Sequence, residues 1–133
     1  MSLAAGLIEV YGLVAAFAAC DAGCKAANVT VETFDKNKPG NADALDVPLI
    51  ILVKFRGSVE NVTAAVDAAE EAVNKITGVV SKHIIASVTD DADKMMQLNE
   101  FDKKEKIYNI IGGKSYGTGS TRYDRNKRLG SSY

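Results

Sequence analysis

Two cysteines, one histidine and a charged, turn-rich segment are the parts of this sequence whose residue types and spacing best suit chemistry. Cys20 and Cys24 are separated by three residues. That spacing puts both thiols on one side of a helix, and it fits neither the C-x-x-C of a thioredoxin-like redox pair nor the paired spacings of a zinc site. Two small buried thiols in a reducing compartment is the reading this favours, with no metal implied. His83 is the only histidine, and no Ser, Cys or carboxylate pair is set beside it by a recognisable motif. Gly112-Gly113-Lys114-Ser115 has the closing residues of a phosphate-binding loop but lacks the first glycine at the required spacing and the buried strand before it. Glu70 and Glu71 read as a solvated helix face. No catalytic constellation emerges, so the chain reads as non-enzymatic and implies no cofactor.

The charged segment is DKNKPGNADALD, residues 35–46, with Lys36, Asn37, Lys38, Pro39, Gly40, Asn41, Asp43 and Asp46. Pro-Gly, Asn and Asp are turn formers, so the segment reads as a loop. It is longer than a hairpin needs, and loops of that length often carry function.

The elements that must position these residues follow from periodicity. A strand is expected over residues 5–10 and a helix over 12–28, with Leu13, Phe17, Cys20, Cys24 and Ala27 on its core face. Asp21 and Lys25 fall on the opposite side at the favourable acid-before-base spacing. VTVETF, residues 29–34, alternates as a half-buried strand, Val29, Val31 and Thr33 against Thr30, Glu32 and Phe34. PLIILVKF, residues 48–55, is the most apolar strand, and Pro48 can stand only at its start. Ser58 is placed to cap a second helix with Val59, Val62, Val66, Ala69, Val73 and Ile76 on one face and Gly78 after its end. A fourth strand over 79–86 precedes a short helix opened by Thr89, with Met95, Leu98 and Phe101 on its apolar side. Strand, helix, strand, strand, helix, strand is the ferredoxin-like α+β arrangement, an antiparallel sheet covered by two helices, here with a short extra helix and a tail. That fold hosts many functions and does not choose among them.

At 133 residues and 47% hydrophobic composition, the chain is expected to form a single domain over residues 1–102. No apolar run approaches the roughly 18 residues that cross a bilayer, and the N-terminus lacks the basic region of a secretory signal, so a membrane partner is not expected. Residues 1–102 carry eight Lys and Arg against fifteen Asp and Glu, a net of −7, whereas residues 103–133 carry eight against two, a net of +6. The tail interleaves Lys114, Arg122, Arg125, Lys127 and Arg128 with Tyr108, Tyr116, Tyr123 and Tyr133 in a Gly- and Ser-containing background. Such a composition is expected to be flexible, docking on an acidic protein surface, its own body or an enclosed enzyme. Single-stranded nucleic acid, which basic and aromatic residues can also bind, is the least favoured partner.

Four segments, GLIEVYGLVAAFAACDAGCKAANV, the apolar strand ending in FRG, SVENVTAAVDAAEEAV and GVVSKHII, together resemble the bacterial microcompartment shell-domain family over residues 5–87. The resemblance implies a cytoplasmic shell subunit, a homohexameric tile with a central pore for small metabolites that packs edge to edge with itself and with other shell proteins. It also implies that Lys25 lies along the hexamer edge, facing its counterpart across a twofold contact, with Asn28 in the same motif. Two departures stand out. The Gly-Ser-Gly pore loop typical of the family is replaced by the longer, charged segment 37–47, and the Pro-Arg pair many members carry after the fourth strand is replaced by ASVTDD. If the loop surrounds a sixfold axis, rings of Lys36, Lys38, Asp43 and Asp46 would select ions by sign and width. Unusual pore loops resemble those of compartments built around glycyl-radical enzymes, including choline-degrading ones. The alternative reading is a small ferredoxin-like regulator, typically trimeric, that binds an anionic metabolite or nucleotide through the 35–46 loop.

Overall fold

The computed structural model describes residues 3–98, and the fold is built from four strands and three α-helices within them. In chain order these are β1 (Ala4–Tyr11), α1 (Leu13–Ala26), β2 (Thr30–Asn37), β3 (Ile50–Gly57), α2 (Val59–Asn74), β4 (Val79–Ile85) and α3 (Asp90–Gln97). A single 3-10 turn, Ala42–Ala44, lies between β2 and β3. The strands form one sheet in the order β2-β3-β1-β4, with antiparallel neighbours throughout. This is the expected ferredoxin-like α+β arrangement. The basic tail, Phe101 and the 112–115 glycine motif lie outside the described residues.

Alternation along the strands divides the side chains between the two faces of the sheet. Ile8 and Val10 of β1, with Ile51, Val53 and Phe55 of β3, point at α1 and α2 and form the main core. From α2 this core receives Val62, Ala65, Val66, Ala69 and Val73, all at most 2% exposed. Val62, Val66, Ala69 and Val73 are the expected stripe, whereas Val59 and Ile76 at its two ends are exposed. Ser58 caps the helix as expected, its hydroxyl accepting the Asn61 N–H at 3.2 Å. Gly78 follows with φ +136, a conformation other residues rarely adopt.

Helix α1 departs from the expectation. Its buried residues are Ala15, Ala16, Ala19 and Gly23, so the inner face is rotated by about a quarter-turn from the one the larger apolar residues suggest. Leu13 and Phe17 are exposed, Cys20 is half-buried and Cys24 is exposed, which corrects the expectation of two buried thiols. The reason is steric. A Cβ added at Gly23 would lie 2.5 Å from the Phe55 ring and 3.2 Å from the Ala65 carbonyl oxygen, and one at Gly6 would lie 2.9 Å from Val66. Helix α1 approaches its neighbours so closely that its inner face has room only for Ala and Gly.

The other sheet face holds a second, smaller core. Ala5, Val88 and Met96 are buried there, with Leu7, Ile85 and Ala92 against them. Thr89 caps α3 as expected, accepting the Ala92 N–H at 3.3 Å. The apolar side differs from the expected one: Met96 is buried, whereas Met95 and Leu98 are exposed. In β2 the pairing with β3 shifts register between Val31 and Phe34. That bulge turns Phe34 to the same side as Val31, against the strict alternation expected, and both pack on the main core. Strand β2 also runs on to Asn37, and β3 begins at Ile50 instead of at Pro48.

Candidate functional site

Two features of the described surface lack a purely internal explanation: the outer face of α1 and the segment between β2 and β3. On α1, Val14 is 74% exposed and Phe17 61%, with Leu13 beside them. Phe17 meets Phe34 of β2 edge to face, ring centroids 5.6 Å apart. The apolar patch thus continues from the helix onto the edge strand of the sheet. Farther along the same helix, the Lys25 ammonium donates to Asp21 at 2.7 Å in an exposed pair, and Asn28 is exposed just beyond the helix end. An apolar patch followed by a charged end is the makeup of an association surface, since scattered single apolar residues are ordinary but contiguous ones are not.

The β2-β3 connection is shorter than the expected loop at its start. Asp35, Lys36 and Asn37 belong to β2, paired with Leu52, Ile51 and Ile50. The rest, residues 38–49, is ordered by its own backbone: Ala42 N–H donates to Pro39 at 3.1 Å, Ala44 N–H to Asn41 at 2.9 Å, and Leu45 N–H to Ala42 at 3.1 Å. Ala42 is 6% exposed and pins the turn inward. The far end is tied to the start of α1, where the N–H of Gly12 donates to Leu49 at 2.8 Å. Lys36, Asn37, Lys38, Gly40, Asn41, Asp43 and Asp46 are exposed and Pro39 is half-buried, so this small scaffold presents nearly all the expected loop residues outward. An open cleft of about 370 Å³ lies beside it, lined by Tyr11, Leu45, Asp46, Val47, Ile76 and Thr77. Its lining has a carboxylate and no basic side chain, which suits neither an anion nor a nucleotide.

The other chemistry-bearing residues are accounted for without a reaction. Burial, with a smaller contribution from neighbouring Cys24, pushes the Cys20 thiol up to about 12, which keeps it protonated and poorly nucleophilic. His83 is exposed on β4, an edge strand. Glu70 is more than a solvated charge: it accepts from Lys82 of β4 at 3.1 Å, and Asp67 stands 3.6 Å from the same ammonium. The Glu70 hydrogen bond is the main cause raising the Lys82 pKa above its ordinary value. Among the described residues no group of three His, Cys, Asp or Glu is placed to hold a metal ion, and no helix is long and apolar enough to cross a membrane.

What sequence reasoning missed is Lys54. It reads as one polar residue in an apolar strand, yet it is 3% exposed. Its ammonium donates to the carbonyls of Leu98 at 2.6 Å and Met95 at 3.2 Å, and pairs with Asp35 at 2.7 Å. Its neighbour on the same face, Arg56, pairs with Glu32 at 3.6 Å and with Asp93 of α3. A lysine inside an apolar run is the signal that was available.

Residues 4–88 match the BMC domain family. The chain is 33% identical over 109 residues to the carboxysome shell protein CcmK2 of Synechocystis sp., covering 80% of this chain and 97% of that protein. It is 33% identical over 93 residues to the bacterial microcompartment shell protein PduA of Salmonella typhimurium, covering 70% of this chain and 89% of that protein. Among solved structures, a microcompartment protein from Desulfitobacterium hafniense shares the fold at a TM-score of 0.56 and 24% identity, over 73% of this chain and 48% of that longer one. A family match over most of the described residues, carried on the architecture derived above, makes this chain a member of the BMC domain family of microcompartment shell proteins.

Proposed function

We propose that the chain is a structural subunit of a bacterial microcompartment shell, located in the cytoplasm, that assembles as a homohexameric tile and acts by enclosure and by control of passage. The observation that carries this reading, beside family membership, is the apolar outer face of α1. A ring buries such a face against the next copy, and closed cyclic symmetry then gives a flat unit with one axial opening. Lys25 and Asn28, exposed at the end of the same helix, serve at the edge where tiles meet. The 38–49 segment with Lys36 and Asn37 at its base surrounds the axis, and its Lys and Asp side chains form charge rings that act on small metabolites by sign and width. Other shell proteins are partners at the edges, and the basic tail is available to an enclosed enzyme. Nothing in the chemistry described above calls for a catalytic role.

Native mass spectrometry of the purified chain, followed by negative-stain imaging of the same sample, tests this. Six subunits, with sheets or tubes on the grid and the loop density at the axis after averaging, is the expected result. A trimer or monomer that never assembles overturns the tile, and a loop found at the ring perimeter overturns the pore assignment alone. The ligand-binding regulator is the weaker reading, because the cleft beside the loop presents Asp46 and no cation to an anionic metabolite.

A further inference from the structure

An ammonium removed from water is costly unless each of its protons meets an acceptor and its charge meets a counter-charge. At 3% exposure Lys54 satisfies both conditions by using two separate parts of the chain. Its first partners are carbonyl oxygens at the C-terminal end of α3, those of Leu98 at 2.6 Å and Met95 at 3.2 Å, with that of Met96 more distant at 3.5 Å. Carbonyls at a helix end lack the partner of a full further turn, Met95 here accepting only the Leu98 N–H at 3.3 Å among the described backbone amides, and they carry the negative end of the helix dipole, where a cation is favoured. The second partner is the carboxylate of Asp35, 2.7 Å away, two residues before β2 ends and the 38–49 connection begins. Thr33, on the same strand, donates to the Met96 carbonyl at 2.9 Å and to the Leu98 carbonyl at 3.2 Å. The end of α3 and the end of β2 therefore share one buried cation and one hydroxyl, although more than 40 residues of chain separate Lys54 from α3's last carbonyl.

We propose that Lys54 is a latch joining the exit of α3, where the chain continues toward its basic segment, to the base of the connection between β2 and β3, so that loosening one loosens the other. Either partner alone leaves the buried ammonium half-compensated. Drawing α3 off the sheet would leave Lys54 and Asp35 to reorganise, and Asp35 carries the start of the loop with it. A pull on the end of α3 would thereby be felt in the loop. The latch is internal to one copy, so it stands whether or not the ring reading holds.

Amide hydrogen exchange on the full chain, read by mass spectrometry, tests the coupling. Lys54→Met, which keeps the apolar stem and removes the charge, should speed exchange about tenfold or more both in α3 and at the bonded amides of Ala42, Ala44 and Leu45, while α2 is unchanged. Asp35→Asn should speed exchange in α3 as well as in the loop, and combined with Lys54→Met it should give less than the sum of the two effects, since the Lys54–Asp35 pair is common to both. Thr33→Val, a milder change, should move both regions in the same direction by less. If Lys54→Met fails to fold, the Asp35 and Thr33 variants carry the test. Faster exchange confined to α3 in one variant and to the loop in the other would show two independent anchors and overturn the latch.

Discussion

Helices α1 and α2 lie side by side on one sheet face, yet they bury opposite kinds of residue. In α2 the large apolar side chains face inward, and Val62, Val66 and Val73 are at most 2% exposed. In α1 alanine and glycine face inward while Val14 and Phe17 face out. The hydrophobic effect rewards apolar area removed from water, so a free-standing subunit would turn Phe17 and Leu13 inward. That it does not is consistent with two demands met at once. Phe55 and α2 already fill the space, so the inner face of α1 must be thin. The outer face stays exposed in the single subunit and is the one the proposed ring would cover. Side by side, α2 buries its large apolar face within its own chain, whereas α1 keeps its own exposed.

Breaking the inner packing should have the largest effect. Val66→Ala opens a cavity in the α2 layer and should lower unfolding free energy by about 2–3 kcal/mol, measured by urea denaturation, with the ring lost only as a consequence of unfolding. An effect below about 0.5 kcal/mol would mean that α2 is not the helix that anchors the core. Gly23→Ala tests the thinness of α1. Alanine favours a helix interior by roughly 1 kcal/mol over glycine, but the added methyl would meet the Phe55 ring, so a net loss of about 1–2 kcal/mol is expected. Stabilisation would show that the helix can move away from the sheet.

The outer face should behave differently. Phe17→Ser should change the stability of the separated subunit by less than about 1 kcal/mol, because the ring is 61% exposed and loses chiefly its contact with Phe34. Its effect should appear in the native mass, as a shift from six subunits toward one. A variant that keeps six subunits would place the ring interface elsewhere. The smallest effect belongs to Lys25→Ala, which removes only an exposed pair with Asp21 and should cost less than about 0.5 kcal/mol. Rings should persist while sheets become fewer, counted on grids at matched concentration. Sheets in undiminished number would remove Lys25 from the edge.

Much of this was legible in the residues because it is local. Ser58 and Thr89 mark their helix starts through a bond that reaches three residues. The valines of α2 repeat at the helical period, and their face could be read directly. The order of elements, and hence the ferredoxin-like sheet, follows from such signals in sequence. The segment expected as a loop, 35–46, is a connection only from Lys38 onward, since Asp35, Lys36 and Asn37 are held in β2 by pairing with β3.

What the tertiary structure decided is everywhere that two segments compete for the same space or share one charge. In α1, periodicity marks a stripe of large residues but cannot say that Phe55 and Ala65 leave room only for Gly23 on the other side. In β2, alternation alone sends Phe34 away from Val31, and only the shifted register against β3 returns it. On α3, Met95, Met96 and Leu98 are equally apolar as letters, and the patch formed by Ala5, Leu7 and Ile85 selects Met96. Lys54 makes the same point for charge. Its burial becomes tolerable only when the end of a helix more than 40 residues away folds over it and Asp35 arrives from the neighbouring strand. The sequence by itself determined which elements form, because their signals lie within a few residues; which faces they bury depended on shape and charge supplied from elsewhere in the chain.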